Sequence, residues 1–146
     1  MTDDPFLPAI RELVHCYQAF ENYSAAQIRE FGLTPPQFDI VATLGNTPGM
    51  TPKELVEKTL ITKGTLTGIV DRLEARGLVR RTPSATDGRS QIVQLTLAGE
   101  ELFDEVFPAH LDYVGRAFAH FSAEDYARIE AALSDLRDVF ERGGRR

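Results

Sequence analysis

The chain has 146 residues, 42% hydrophobic and 26% charged, with a net charge of −6. This balance suits one globular domain with a real core rather than a disordered chain. No apolar run approaches the roughly 18 residues of a membrane span, and the acidic start Met1-Thr2-Asp3-Asp4-Pro5 lacks the basic-then-apolar layout of a secretory leader. A cytoplasmic protein is therefore expected. Cys16 is the only cysteine, so no intrachain disulfide can form.

Helix-start signals punctuate the chain. Thr34-Pro35-Pro36-Gln37, Thr51-Pro52-Lys53-Glu54 and Ser122-Ala123-Glu124-Asp125 each set a hydroxyl residue three before a Gln or an acid. The hydroxyl can accept from the third helical amide while the longer side chain reaches back to the cap amide. Asp125, being shorter, is expected to reach back less well.

In chain order, a first helix is predicted over 8–30, with Ile10, Leu13, Val14, Tyr17, Phe20 and Ile28 as its apolar stripe. Gly32 marks its end. A second helix over 34–44 turns Phe38 and Val41 inward and stops at Gly45-Asn46-Thr47-Pro48-Gly49. A short helix starting at Thr51 carries Leu55 and Val56. After a break near Ile61, a further helix over 63–76 is capped by Thr62. It buries Leu66, Ile69, Val70 and Leu73 at helical spacing and closes at Gly77.

Residues 78–82 and 91–97 read as two strands, with Val93, Leu95 and Leu97 alternating against polar neighbours. The Asp87-Gly88 turn between them makes a β-hairpin with a basic tip. The rest reads as helical through Phe107, Leu111, Val114, Phe118, Phe121, then Tyr126, Ile129, Leu133, Leu136 and Phe140. Pro108 is expected to kink or interrupt this region.

Two short helices joined tightly, the second with an apolar back and a basic front, form a helix-turn-helix pattern, and the hairpin behind it is a wing. Charge follows the same division. Residues 60–96 hold six basic side chains (Lys63, Arg72, Arg76, Arg80, Arg81, Arg89) against three acidic ones (Asp71, Glu74, Asp87), leaving −9 elsewhere. A helix fits the major groove of B-DNA, and a hairpin beside it can place an arginine in the minor groove. The expected contact residues are Thr62, Lys63, Gly64, Thr65, Thr67, Arg72, Arg80, Arg81, Asp87, Arg89 and Ser90. Gly64 and Gly68 each cost a helix roughly 1 kcal/mol relative to alanine. Either tight helix packing or the close approach of an outside backbone would account for them.

These residues carry a family resemblance. Thr62-Lys63-Gly64-Thr65-Leu66-Thr67, and Val70-Asp71-Arg72-Leu73-Glu74-Ala75-Arg76-Gly77-Leu78-Val79-Arg80-Arg81 after it, resemble the recognition helix and first wing strand of the MarR family. Asp87-Gly88-Arg89-Ser90 with Leu95-Thr96 resembles that family's wing signature, and Leu33-Thr34-Pro35-Pro36-Gln37-Phe38 its second-helix opening. The resemblance implies a mainly α fold with a small β-hairpin wing. Residues 1–146 would form a single domain, with a winged helix-turn-helix lobe at 33–97 and dimerisation helices at 6–31 and 98–142. It also implies a homodimeric repressor reading a palindromic operator. The apolar stripes of the terminal helices independently call for a dimer, because a monomer would expose them.

Members of that family often release DNA when a small aromatic acid binds or when a cysteine is oxidised. Tyr17, Phe20, Tyr23 and Phe38, with Phe118, are candidates to line an effector site, and core packing explains them equally well. Cys16 resembles the reactive cysteine of the organic-hydroperoxide-sensing branch. That branch has a thiolate-binding tyrosine on the second helix where this chain has Phe38, which counts against peroxide sensing. A lone helical cysteine is more often a small hydrophobe.

His15, His110 and His120 show no zinc-ligand spacing, so no metal or cofactor is expected. No phosphate loop, nucleophile elbow or dinucleotide turn is present, and Gly64-Thr65-Leu66-Thr67-Gly68 lies within a helix. An enzyme is not expected. A winged helix that binds only protein is the other alternative, and the arginine cluster speaks against it.

Overall fold

The computed structural model describes residues 3–86 and 88–144. Its elements run α1 (Leu7–Glu30), α2 (Pro35–Leu44), α3 (Pro52–Lys58), α4 (Lys63–Ala75), β1 (Val79–Pro83), β2 (Gln91–Leu95), α5 (Leu97–Arg116) and α6 (Ala123–Gly143). They fall into two compact units, Met1–Val114 and Gly115–Arg146.

Local chemistry sets the boundaries. Full capping boxes open α2, α3 and α6 at Thr34, Thr51 and Ser122. The return bond from Asp125 is the shortest of the three, with the Ser122 amide donating to its carboxylate at 2.8 Å. The expected weakness of the shorter side chain is therefore not found. Thr62 does not cap α4 through its side chain; its hydroxyl bonds that of Thr65 instead. At the other end of α4, Gly77 (φ +75°) takes the left-handed conformation that a side chain disfavours. There Gly77 N–H donates to the Glu74 carbonyl and Leu78 N–H to that of Leu73, the paired bonds of a Schellman stop.

The first unit has one core. Ile40, Val41, Leu44, Leu55, Leu73, Val79, Val93 and Val106 are fully buried, so α2, α3, α4, both strands and α5 all contribute to it. The strands pair antiparallel in the register Val79↔Leu95 to Pro83↔Gln91. Met50 bridges Val93 with two backbone bonds of 2.9 and 2.8 Å. Gly49 makes room for this approach, since a Cβ there would lie 2.6 Å from the Ile92 side chain and 2.9 Å from the Val93 carbonyl.

Three expectations are corrected. β2 ends at Leu95, and Leu97 is an exposed first residue of α5 rather than a strand residue. Thr96 makes the switch, because its hydroxyl donates to the Gly77 carbonyl at 2.6 Å and accepts from Gly99 N–H at 3.1 Å. Of the kink or interruption expected at Pro108, the interruption is not found: α5 runs on through it, the ring forfeiting one backbone bond and standing exposed. Finally, α5 stops at Arg116, so Phe118 and Phe121 lie in the turn before α6.

In the second unit, Phe118, Phe121 and Tyr126 cluster with ring centroids 5.2–5.8 Å apart, and the Tyr126 hydroxyl donates to the Phe118 carbonyl at 3.2 Å. No residue of α6 is buried. The predicted stripe of α1 is split: Ile28 is buried, whereas Val14, Tyr17 and Phe20 are exposed.

Candidate nucleic-acid interface

α3 and α4 form the helix pair and β1–β2 the hairpin that follows. α4 buries Leu66, Ile69, Val70 and Leu73. At about 100° per residue, the opposite side is centred on Gly64, Gly68, Asp71 and Ala75. Thr65 and Arg72 flank it on one side, Lys63 and Thr67 on the other, and all eight residues are exposed. A Cβ added at Gly64 or Gly68 would meet nothing within 4 Å. Tight packing against another helix therefore does not account for either glycine. The Thr62 and Thr65 hydroxyls bond each other, and that of Thr65 also lies 3.4 Å from the Thr62 carbonyl.

The arginines differ in their partners. Arg81 is drawn inward: its guanidinium holds Asp71 at 2.6 Å and Glu74 at 2.8 Å, tying β1 to α4. Arg76 donates to the Gly32 carbonyl at 3.0 Å and joins the ends of α4 and α1. Arg80 faces its cross-strand partner Gln94, whose amide oxygen, turned toward it, accepts from Nε and Nη2 at 3.1 Å. Arg89 is exposed near the hairpin tip. Below the tip, Ser84 N–H donates to the Ser90 carbonyl at 2.9 Å, and the Ser84 and Thr86 hydroxyls lie 3.2 Å apart. Asp87 lies outside the described residues. Asp39 on α2 accepts from Leu60 N–H at 3.3 Å and steadies the α3–α4 turn. Burial raises the Asp39 carboxyl above its usual value, and the Leu60 bond opposes that.

Of the four aromatic candidates, two converge. Tyr23 stacks on Tyr113 at 4.4 Å and donates to the Tyr113 carbonyl at 2.9 Å. Phe38 is buried with its ring 4.7 Å from that of His110. Tyr17 and Phe20 are exposed on α1. A hydrogen bond to Glu21 keeps the Tyr17 phenol protonated above its usual range. Cys16 is exposed as well.

The residue that organises this junction, His110, was not singled out by its sequence context. Its Nδ1 lies 2.8 Å from Gln27 Oε1 and its Nε2 3.0 Å from Ser24 Oγ. Gln27 Nε2 donates to the Ala109 carbonyl at 3.3 Å. With the amide so turned, Nδ1–H donates to Gln27 and Nε2 accepts from the Ser24 hydroxyl. Burial pushes the His110 pKa below the ordinary 6.5. The unfolded chain then binds more protons below that value, so this group removes stability as pH falls through it. Urea midpoints of the wild type should drop between about pH 7.5 and 5.5, and His110→Gln should reduce that drop. Equal pH dependence in both proteins would refute this.

Among the described residues, no group of three or more His, Cys, Asp or Glu could hold a metal, and no helix is long and apolar enough to cross a membrane.

A helix-turn-helix whose second helix presents a polar outer face beside a basic hairpin defines a winged helix-turn-helix protein. Comparison with known proteins agrees. The MarR family signature matches residues 31–90. The transcriptional regulator HosA of Escherichia coli O157:H7 is 36% identical over 92 residues, which cover 62% of this chain and 68% of HosA. The crystal structure of AbsC, a MarR family transcriptional regulator from Streptomyces coelicolor, superposes with a TM-score of 0.83 at 26% identity, covering 97% of each chain. A mutant MarR from E. coli complexed with operator DNA shares the fold, with a TM-score of 0.79 at 24% identity over 92% of this chain and 99% of that one. The chain belongs to the MarR family of transcriptional regulators.

Proposed function

We propose that this protein is a homodimeric repressor that binds a palindromic DNA operator in the cytoplasm and works by binding rather than catalysis. The lobe at 33–97 would present α4 to the major groove, with Thr62, Lys63, Gly64, Thr65 and Thr67 toward the bases. Arg72, Arg80 and Ser90 would lie toward the backbone, and Arg89 would enter the minor groove. Arg81 would act by holding the wing on α4. The segments 6–31 and 98–142 would join two copies, setting the recognition helices roughly 34 Å apart, one turn of DNA.

The observation that carries this reading is the open pair Gly64 and Gly68 at the outer centre of α4. Each weakens the helix by about 1 kcal/mol, and neither relieves contact within the chain. Close approach of a large outside surface explains both. The dimer is supported by α6, whose 21 residues bury no side chain while Ile129, Leu133 and Phe140 stand exposed. The junction of Tyr23, Phe38 and His110 would take a small aromatic or lipophilic effector whose binding releases DNA.

Gly68→Ala separates the two roles of that glycine. The folded protein should gain up to about 1 kcal/mol by denaturant titration, while affinity for a selected operator should fall by about tenfold or more. A variant that gains stability and keeps full affinity would remove Gly68 from the interface.

A further inference from the structure

Bidentate reading of a base edge uses arginine or lysine on guanine, or asparagine or glutamine on adenine. Residues 62–71 of this chain contain no Arg, Asn or Gln, and Lys63 is their only long basic side chain. The outer face of the first two turns of α4 is otherwise threonine and glycine.

The hydroxyls of Thr62 and Thr65 are engaged with each other and with the Thr62 carbonyl. A hydroxyl carries one proton, and with Thr62 donating to Thr65 and Thr65 to the Thr62 carbonyl both protons have acceptors. Thr65 keeps an acceptor lone pair and, beside it, offers a partner its γ-methyl. Gly64 and Gly68 lie between the flanks that carry Thr65 and Thr67, and nothing stands within 4 Å of where their Cβ atoms would be. The helix backbone can therefore sink toward a base-pair floor, bringing short side chains into contact range. In the major groove the one apolar mark is the C5-methyl of thymine.

We propose that α4 selects its operator by methyl–methyl contact, with Thr65, supported by Thr67, packing on thymine C5-methyl groups. This inference rests on the DNA-binding reading above and goes on to name the base. Lys63 would supply the one direct guanine contact in the same stretch.

The experiment removes the methyl from the DNA and leaves the protein intact. In an operator selected from genomic fragments, thymines are replaced by deoxyuridine one position at a time, symmetrically in both half-sites. Kd is read by fluorescence anisotropy. At one or two positions per half-site the wild type should lose about fourfold for each methyl removed, the equivalent of about 0.8 kcal/mol per buried methyl. Thr65→Ser keeps the hydroxyl and lacks the methyl, so it should bind the thymine operator more weakly and lose the thymine preference at one of those positions. Thr65→Val keeps a methyl and should retain the preference. Tight operator binding indifferent to deoxyuridine at every position would overturn this inference and leave the DNA-binding reading standing. So would a full thymine preference in both Thr65→Ser and Thr67→Ser. Failure to bind any duplex would overturn both.

Discussion

Replacing Gly99 with alanine should destabilise the protein by on the order of 3 kcal/mol, the upper range for overpacking, and lower Tm by roughly 10 °C for a chain of this size. The methyl would stand 2.1 Å from the Leu78 carbonyl oxygen and 3.2 Å from Leu95 Cβ. That oxygen belongs to backbone fixed on both sides, by Leu78 N–H on the Leu73 carbonyl and by its own acceptance of Thr96 N–H at 3.0 Å. Relief therefore requires moving the end of α4 or the start of α5. Gly45 is a second crowded position. A Cβ there would also fall at 2.1 Å, from the buried Phe103 ring that stacks on Phe107, so alanine should be costly there too. Gly115, inside α5 with open space around its Cβ position, is the control, since alanine there should be neutral or stabilising. Calorimetric scans of Gly99→Ala and Gly115→Ala that shifted together would refute the steric account.

Arg81→Ala should weaken operator binding by about tenfold or more through charge that it leaves behind. In the folded protein Arg81 neutralises Asp71 and Glu74, both on exposed turns of α4. Without it, two carboxylates would face DNA phosphates unpaired, and β1 would lose its tie to α4. The direct loss of folding stability should be modest, about 1 kcal/mol, because the two carboxylates are solvent-exposed. Combining Arg81→Ala with Asp71→Asn and Glu74→Gln should restore most of the binding, since no charge is then left uncompensated. The salt dependence of binding should keep its slope throughout. If Arg81 touched phosphate itself, the slope would fall by about one and the neutralising substitutions would not rescue binding.

The contrast among arginines marks where sequence reading succeeded and where it stopped. Thr34, Thr51 and Ser122 announced their helices because capping is local, involving a hydroxyl and an amide three residues apart. The buried face of α4 followed from periodicity alone. Arg81 could not be told from Arg80, because alternation along β1 says which side each residue faces and nothing about Asp71, ten residues back. The boundary at Leu97 was missed for a related reason. Val93, Leu95 and Leu97 continue a strand pattern, and only the bonds from Thr96 to Gly77 and Gly99 show that the chain has turned into a helix. The His110 junction joins residues more than eighty positions apart, beyond any motif. Gly64 and Gly68 were ambiguous as letters, and the empty space around them removes packing within the chain as the reason for them.

The proposed repressor is a dimer whose recognition helices and wings meet duplex DNA. The most direct measurement is retention of genomic duplex fragments by the purified protein across a salt series, with mass determined by sedimentation. Two chains should bind each selected site, with log K falling linearly against log salt. Arg89→Ala should lower affinity by about 10- to 100-fold and reduce the slope by about one per wing. A protein that sediments as a monomer and retains no fragment even at low ionic strength would contradict the account.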